Sequence, residues 1–594
     1  MKTQYKAILI GLTALIFQAS CTKILDEQPR ASIDPAFFRT PEGIEGGIAG
    51  VYSSLRGHWG TQIFTQLFNG GSDEMIRGSA ADVQHFFTYS PLMASNANDY
   101  AGLWNSMYIN INTLNGVFQF GEESDIPEDQ KTRLFAQARF LRAFCYYHLV
   151  TTFGDVPLHL EYNTSVSSAD SRSPKAEVYN AIIEDFTVAI NDLPNQPDAS
   201  LGKPAYKATA LFLLAKTYLW RGWSDVAQPE DFTNAYNLAK ELIDNKGLYG
   251  LDLWPYFLEA FLEGNEYGPE TIMVVDRTAD LKFGQNSPPG AGATELSENK
   301  SNFFFRPNYP TINANYPEGG GDPLVMRDVP NGRPWQRIRP NMRYILDVAF
   351  ADRVHDSRYH GTFQTIWLSN SMPEAPSGSA GAVTPRGQLI NQVDTAIWCV
   401  DRVVSAEERA NFKGIILEPE HLSGATVPFT GNMFPSLRKW DDSTRVDMND
   451  YSDRPFILYR FAEVYLIAAE AAFKGGASLQ EAADMLNVLR RRAAYQPGQT
   501  EAEYSAALTA QTITAGDVDI DFILDERTRE MYGEYTRWWD LARTQTLVDR
   551  VSRYNLEGGP NVRDFHLLRP IPQQQIDLVT EGPPFSQNPG YAGQ

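Results

Sequence analysis

Histidine and acidic side chains lie close together at one point of the chain where their types could bind a metal ion. His355 and His360 share a short segment with Asp352 and Asp356. Imidazole and carboxylate groups are common metal ligands in proteins, so this grouping could form a site. The same side chains are also typical of an ordinary exposed polar loop. We therefore predict no metal and no cofactor.

Alternating acids at Asp517, Asp519 and Asp521 are similar to the first half of a calcium-binding loop. The glycine and the closing glutamate that such a loop requires are missing at the needed spacing. Acidic side chains also stabilise the start of a helix, because they face the partial positive charge of its first turn. The sequence therefore predicts a helix that begins near these acids.

Motifs with catalytic spacing are missing from the chain. It has no His-Glu-x-x-His, no phosphate-binding glycine loop and no Gly-x-Ser-x-Gly. A chain with 73 acidic residues always contains some carboxylate pair, so such a pair does not indicate a glycoside hydrolase. Residues 525–543 carry charges of alternating sign at helical spacing, which predicts a salt-bridged helix face. We expect no catalytic residue and no enzymatic activity.

Cys21 lies where a bacterial lipoprotein carries its lipid. Lys2 and Lys6 precede an apolar run at residues 7–17, which is too short to span a bilayer and is typical of a signal peptide. The small residues directly before Cys21 resemble a lipobox. We expect residues 1–20 to be removed and Cys21 to be lipidated, which anchors the folded body outside the cytoplasm. Signal cleavage without lipid is the alternative.

Overall composition is that of a globular protein and argues against a nucleic-acid partner. Hydrophobic residues make up 43% of the chain and charged residues 21%. The net charge of −22 disfavours phosphate binding, which needs a basic surface. Three cysteines do not form a disulfide framework, and whether Cys145 and Cys399 pair is left open.

Helical periodicity covers most of the chain on both sides of residues 264–448. A first helix is predicted to begin at Thr40, where a capping threonine is followed by proline and an acid. Alanine-rich helix pairs occur twice, and such pairs resemble tetratricopeptide repeats. The other predicted helices span residues 103–120, 131–150, 175–193, 206–221, 231–246, 459–474, 478–492 and 521–544.

Residues 264–448 have a different composition, in which glycine, proline, asparagine and serine dominate and helical periodicity is weak. Loops of this length in a compact protein are usually functional or disordered. The many aromatic residues argue against disorder. Residues 271–275 are predicted to form a short strand.

A series of short motifs occurs in order along nearly the whole chain after Cys21. The motifs lie at residues 103–105, 138–143, 153–157, 460–471, 483–494, 525–527, 539–543, 569–572 and 587–591. Together they resemble the SusD/RagB outer-membrane lipoproteins of Bacteroidetes. Each motif alone is weak, but their common register makes the resemblance specific.

The resemblance implies a mostly α fold, in which tetratricopeptide-like helix pairs support a large, irregular, loop-rich ligand-binding face. It implies a surface-exposed lipoprotein of the outer membrane that captures glycans, and a partner in a SusC-type TonB-dependent transporter. The chain is accordingly divided into a signal peptide, an N-terminal helical region, a loop-rich insertion and a C-terminal helical region. These predicted regions span residues 1–20, 21–262, 263–448 and 449–594.

A glycan site should combine aromatic rings, which pack on the C–H faces of sugars, with polar groups that bind hydroxyls. Two regions offer this mixture, at residues 71–89 and 303–335. The resemblance implies that the first region supplies ligand contacts, although Val83-Gln84-His85 stands where the family commonly has a tryptophan. The predicted ligand-binding residues are Asp73, Arg77, Phe86, Phe87, Tyr309 and Trp335.

Other functions remain as alternatives to glycan capture. The same architecture could bind a different nutrient such as a peptide. An envelope glycoside hydrolase belongs to another class, and the missing catalytic motifs count against it. A pure assembly scaffold would also fit tetratricopeptide-like repeats, whereas aromatic loops at the surface favour ligand binding.

Overall fold

The computed structural model of the chain describes a defined set of residues. The signal segment and Cys21, and with them the predicted lipidation, lie outside that set. Within the set, no helix combines the length and the apolar character needed to cross a bilayer. The described residues are 35–93, 98–163, 167–198, 201–278, 280, 290, 298–312, 323–370, 382–383, 389–390, 394–422 and 432–591.

The N-terminal part of the described chain is helical. Its first helix begins where predicted, because the Thr40 hydroxyl accepts a hydrogen bond from the Gly43 amide and Pro41 fills the first helical position. Its elements are α1 (Pro41–Ser54), α2 (Gln62–Asn69), β1 (Met75–Arg77), α3 (Gln84–Thr88), α4 (Ala101–Gly121), α5 (Glu128–Phe153), α6 (Lys175–Asp192), α7 (Lys207–Trp223) and α8 (Asp231–Asp244).

The middle of the chain carries short strands and single helical turns joined by long connections. The strand predicted at residues 271–275 is confirmed as β2 (Thr271–Val275). The elements that follow are α9 (Ser301–Phe304), β3 (Ile338–Pro340), α10 (Met342–Tyr344), α11 (Arg358–Thr362), β4 (Phe363–Gln364), β5 (Ile366–Leu368), β6 (Ala382–Val383), β7 (Leu389–Ile390), β8 (Thr395–Cys399), α12 (Ala406–Asn411), β9 (Ile415–Leu417), α13 (Pro419–Leu422) and β10 (Ser436–Leu437).

The C-terminal part returns to helix after one strand. Asp519 caps α17 by accepting a hydrogen bond from the Phe522 amide, at 2.7 Å, which confirms the predicted helix start near the alternating acids. The elements are β11 (Phe456–Arg460), α14 (Phe461–Ala471), α15 (Leu479–Ala493), α16 (Glu501–Gln511), α17 (Ile520–Met531), α18 (Arg537–Arg543), α19 (Leu547–Tyr554) and α20 (Gln573–Leu578).

The long helices pack in one continuous row. Helices α4, α5, α6, α7 and α8 pack side by side in that order. Helix α8 then packs on α14, and α14 packs on α15. The helix pairs on either side of the middle region therefore stack directly on each other. The mostly α prediction with a helix-pair scaffold is confirmed.

Several predicted helices differ from the structure by a few residues at their ends, and two of them differ because of a neighbouring strand or a backbone break. The helix predicted at 459–474 begins only at Phe461, because the β-branched and aromatic residues before it form β11, which pairs antiparallel with β2. The helix predicted at 521–544 breaks after Met531. Gly533 and Tyr535 adopt left-handed backbone conformations, with φ of +78° and +65°, which separates α17 from α18.

One hydrophobic core joins the three predicted regions after Cys21. Its buried members run from Phe38 to Phe585 and include Ile338 and Trp367 of the middle region. Cys145 and Cys399 are both buried and free, so they do not pair. The loop-rich region is thus packed on the helical scaffold.

The start of α15 offers a test of local stability. The Ser478 hydroxyl accepts from the Glu481 amide at 3.2 Å, and a Glu481 carboxylate oxygen accepts from the Ser478 amide at 3.0 Å. Replacing Ser478 with alanine removes one of these bonds and should lower the free energy of unfolding by about 1 kcal/mol. Urea unfolding followed by circular dichroism measures this. Ser505→Ala, inside the exposed part of α16, is the control, and equal effects in both variants would contradict the prediction.

Candidate functional site

The two regions predicted to bind ligand are brought together by a short pair of strands. Strand β1 pairs antiparallel with β3, with Met75 opposite Pro340 and Arg77 opposite Ile338. The pairing continues into the loops, since the Gly78 amide donates to the Arg337 carbonyl at 3.2 Å. The segment that contains Arg77 and the segment that contains Trp335 therefore form one surface.

We call this surface the Trp335 face. Ser79, Asp82 and Gln84 are exposed on it, and its other side chains are partly exposed. The face combines an aromatic ring with hydroxyl, amide, carboxylate and guanidinium groups. Its members are Arg77, Ser79, Asp82, Gln84, Arg333, Trp335, Gln336 and Arg337.

The Trp335 ring is held in place from several sides. Its centroid lies 5.2 Å from the Phe303 ring and 5.8 Å from the Phe304 ring. The guanidinium groups of Arg333 and Arg337 each lie 5.2 Å from the ring centroid, in cation–π contact. A restrained, partly exposed ring with donors beside it can bind a ligand without much loss of side-chain freedom.

The backbone next to the ring is strained. Gln336 has a φ of +51°, in the left-handed region that residues other than glycine rarely adopt. Its conformation is held by hydrogen bonds from the Gln336 amide to the Arg306 carbonyl, at 3.1 Å, and from the Ser79 hydroxyl to the Gln336 side chain, at 2.6 Å. Strain of this kind is concentrated at functional sites, because packing elsewhere must compensate for it.

The charged groups of the face are already arranged by protein contacts. Arg77 donates from Nε to Glu557 at 2.7 Å and from Nη1 to Gln84 at 3.0 Å. Arg337 lies 3.4 Å from Asp82, and its buried Nε has no hydrogen-bond partner within the described part of the chain. The face thus presents directional donors around a ring, which suits binding and supplies no nucleophile with a base.

Four of the predicted ligand residues lie inside the protein, and their burial argues against direct ligand contact, which stays a prediction for them. Phe86, Phe87 and Tyr309 have no exposed surface, and the Tyr309 hydroxyl donates to the Gly332 carbonyl at 2.6 Å. Asp73 is also fully buried. Aromatic rings next to a loop surface were predicted to be exposed, but their apolar area is used to pack the loops on the core. For Arg77 and Trp335 ligand contact remains a prediction.

Asp73 instead forms buried ion pairs close to strand β1, which carries part of the Trp335 face. Arg537 and Arg550 each place a guanidinium nitrogen 2.6 Å from the same oxygen of this carboxylate. Burial by itself would raise the pKa of Asp73, but the two positive charges outweigh burial and hold its pKa well below its ordinary value. The ion pairs tie the chain just before β1 to α18 and α19.

Glu74, beside these ion pairs, predicts a pH dependence of stability. The pKa of Glu74 is raised to about 7, chiefly by burial and also by the neighbouring charge of Asp73, while the charge of Arg537 opposes the rise. The folded protein therefore holds this proton more tightly than the unfolded chain, so stability from this group is full below its ordinary pKa and is lost as pH rises through 7.

Glu74→Gln should remove this dependence. As the pH rises from about 4.5 to above 7, the free energy of unfolding of the wild type should fall relative to that of the variant. Urea titrations at a series of pH values measure it. Glu501→Gln, at an exposed position of α16, is the control. A difference that stays constant with pH would show that Glu74 is ionised throughout.

The salt-bridged helix predicted at 525–543 forms its ion pairs in the interior. Glu530 contacts Arg358, Arg460 and Arg492, and all four side chains are buried. Burial would raise the pKa of Glu530, but the three arginines hold it at about 2. The pairs connect α17 with α11, β11 and α15, so they position the loop region on the scaffold.

The metal site considered for the histidines is not formed by the described side chains. His355 lies 2.9 Å from Asp352, but Asp356 is paired with Arg358 at 2.7 Å. Glu418, Glu420 and His421 are the described group whose atoms are close enough to bind an ion. There the His421 Nδ1 accepts from the Glu418 amide at 3.2 Å, which leaves that nitrogen unavailable to a metal.

Sequence reasoning missed several members of the Trp335 face. Ser79, Asp82, Gln336 and Arg337 come together only through the pairing of β1 with β3. Both strands have three residues, too few for the alternation of polar and apolar side chains to identify them. The positively charged flanks of Trp335 were visible in the sequence as Arg333 and Arg337, and could have been read as a signal.

Comparisons with known proteins found family models and relatives that match most of the chain. A family model described as the SusD family matches residues 428–591, and one described as starch-binding and associating with the outer membrane matches residues 23–219. Starch-binding protein SusD of Bacteroides thetaiotaomicron is 30% identical over 497 residues, which cover 80% of this chain and 76% of that protein. SusD-like protein P2 of Formosa agariphila is 26% identical over 603 residues, which cover 99% of this chain and 100% of that protein.

Solved structures share the fold. A laminarin-binding SusD-like protein superposes with a TM-score of 0.64 at 20% identity, covering 93% of this chain and 100% of that chain. The Bacteroides fragilis protein NanU superposes with a TM-score of 0.62 at 20% identity, over 95% of this chain and 99% of its own. At this level of identity the likeness establishes the architecture.

Proposed function

Because this chain belongs to the SusD family, we propose that it is a surface lipoprotein which captures an oligosaccharide and delivers it to a SusC-type TonB-dependent transporter of the outer membrane. We infer that it binds its ligand unchanged. The face derived above offers ring and hydrogen-bonding groups for recognition, and no arrangement for bond cleavage.

The Trp335 face is the observation that carries the proposal. The C–H face of a sugar ring packs on an indole, and its hydroxyl groups need donors and acceptors at the edge of that contact. Arg333 and Arg337 supply donors beside the ring, and Gln336 supplies an amide. The names of relatives support the ligand class, since one is a starch-binding protein and one solved neighbour binds laminarin.

Delivery to a transporter is supported by the predicted anchor. A lipid on Cys21 would hold the folded body at the outer membrane. The family model that matches residues 23–219 is itself described as associating with the outer membrane. A SusC-type barrel is the partner implied by the family.

Affinity electrophoresis of the chain lacking residues 1–21 tests the proposal. The gels contain laminarin, soluble starch and a wider panel of neutral and uronate-containing polysaccharides. Slower migration in at least one polysaccharide is the expected result. Unchanged migration in every gel would overturn glycan binding and favour capture of a nutrient such as a peptide, whose carboxylates the arginines of the face would also suit.

A further inference from the structure

A second groove lies on another part of the surface. The outer side of α4, the segment after α5 and helix α20 enclose a cavity of about 420 Å³. A neighbouring cavity of about 370 Å³ shares His159 and Asp170 with it, so the two lie side by side. Each volume falls in the range of small-molecule sites. None of the described residues that line the groove belongs to the Trp335 face.

One face of α4 points polar and aromatic groups into this groove. Asn105, Tyr108, Ile109 and Asn112 follow the i, i+3, i+4, i+7 spacing that places side chains on one side of a helix. An amphipathic helix normally turns its apolar row towards the core and its polar row towards solvent. Here Asn105 and Ile109 are exposed, and 66% of the Ile109 surface is accessible.

The Tyr108 ring is fixed as a wall of the groove. Its hydroxyl donates to the Pro157 carbonyl at 2.9 Å. The ring centroid lies 5.1 Å from that of Trp104 and 5.9 Å from that of His159. Since the ring is held before any ligand arrives, packing a sugar on it requires little further ordering.

Three amide side chains in the groove make no hydrogen bond within the described part of the chain. They belong to Asn105, Asn163 and Gln575, on three separate segments. The backbone of Asn163 is held by Asn112, whose side-chain oxygen accepts from the Asn163 amide at 2.8 Å. An amide offers both a donor and an acceptor, as a sugar hydroxyl does, so pairs of these groups match vicinal hydroxyls.

Charge narrows the ligand class. Among the described residues that line the two cavities there is no arginine or lysine, and the carboxylates are Asp170 and Glu581. An anionic ligand would meet these two carboxylates, and the imidazole of His159, which also lines both cavities, already lies 3.3 Å from Asp170. A neutral polyhydroxyl ligand fits both the amides and the charge.

We propose that this groove is a second binding site, specific for a neutral segment of glycan. The inference rests on the proposed function for its ligand class, but on different residues. Two sites on one molecule can bind one long polysaccharide, and the second contact is then intramolecular and strengthens retention without any change in the first.

The test compares two double variants of the chain lacking residues 1–21. Asn105→Ala with Gln575→Ala removes two groove amides, whereas Asn411→Ala with Gln574→Ala removes exposed amides elsewhere, one of them the direct neighbour of Gln575. Affinity electrophoresis uses laminarin and soluble starch as neutral probes and polygalacturonate as the anionic probe. We expect the groove variant to lose about tenfold in affinity for a neutral probe, as for two lost hydrogen bonds, and the control to match wild type.

The outcomes separate the groove from the Trp335 face. If the neutral probes retard the groove variant as much as the control, the groove site is overturned. If Trp335→Ala loses retardation in the same gels, the proposed function still stands. A loss in the groove variant with none in Trp335→Ala would support the groove and overturn the face. A wild-type chain that no neutral probe retards, or a groove variant that loses only polygalacturonate, would also overturn a neutral-glycan groove.

Discussion

Replacing Arg460 with alanine is expected to lower the free energy of unfolding by about 3–5 kcal/mol. Arg460 is fully buried and lies 2.5 Å from Glu270, 2.7 Å from Glu534 and 3.1 Å from Glu530. Removing it leaves carboxylates in the interior with too few positive partners. Most of the cost arises because the remaining carboxylates are buried without a partner, and less of it arises from the attraction that is lost.

Urea unfolding followed by circular dichroism and tryptophan fluorescence measures this effect. Arg39→Ala is the control, because Arg39 and Glu123 form an exposed pair at 2.8 Å and should change stability by less than about 1 kcal/mol. Arg460→Lys keeps the charge and loses the fork of donors, so it should fall between the two. Equal effects of Arg460→Ala and Arg39→Ala would show that the buried network does not hold the fold together.

The network matters for function because it fixes the loop region on the scaffold. Arg460, at the end of β11, forms an ion pair with Glu530 of α17. Arg358 of α11 forms an ion pair with the same glutamate. Asp73 forms similar buried ion pairs with Arg537 and Arg550, next to the Trp335 face. A ligand site built on loops needs such supports, since binding geometry is lost when the loops move.

Replacing Trp335 with alanine should lower the affinity for polysaccharide by about thirtyfold or more. The affinity in question is that for whichever polysaccharide retards the wild-type chain. A central aromatic in an interface typically contributes 2 kcal/mol or more, which corresponds to that factor. The Trp335 ring fits this description, because it packs on Phe303 and Phe304 and lies between Arg333 and Arg337. The measurement is the migration of the variant as a function of polysaccharide concentration.

Matched variants separate recognition from folding. Trp254→Ala removes another partly exposed tryptophan, which packs on a small separate cluster with Phe257 and Phe261, and it should bind like wild type. Trp335→Phe keeps a ring and should retain part of the affinity. Equal binding by Trp335→Ala and wild type, with both folded by circular dichroism, would remove this face from the proposal.

Much of the scaffold could be predicted because its signals are local. Thr40 and Ser478 cap helices at the positions their spacing indicated, and Pro174 precedes α6 at the predicted start. Helical periodicity needs only neighbours within two turns. The break between α17 and α18 was missed because a single glycine such as Gly533 is tolerated within a helical pattern, and the left-handed conformation of Tyr535 has no signal in the sequence.

The candidate site shows the opposite case. Trp335 and Arg77 were selected from composition, but the same reasoning selected Phe86, Phe87 and Tyr309, which are buried. An aromatic residue in a loop has the same local sequence whether its ring faces solvent or the core. The distinction depends on which other segment lies against it.

The sequence by itself determined the helical elements, their caps, the mixture of side chains available for binding and the family to which the chain belongs. Only the tertiary structure decided that Asp73 meets Arg537 and Arg550, that β1 meets β3, and that the charges of α17 are buried. The physical reason is range. Caps and periodicity arise between residues a few positions apart, whereas burial and ion pairing join residues hundreds of positions apart, and their free energies depend on the whole fold.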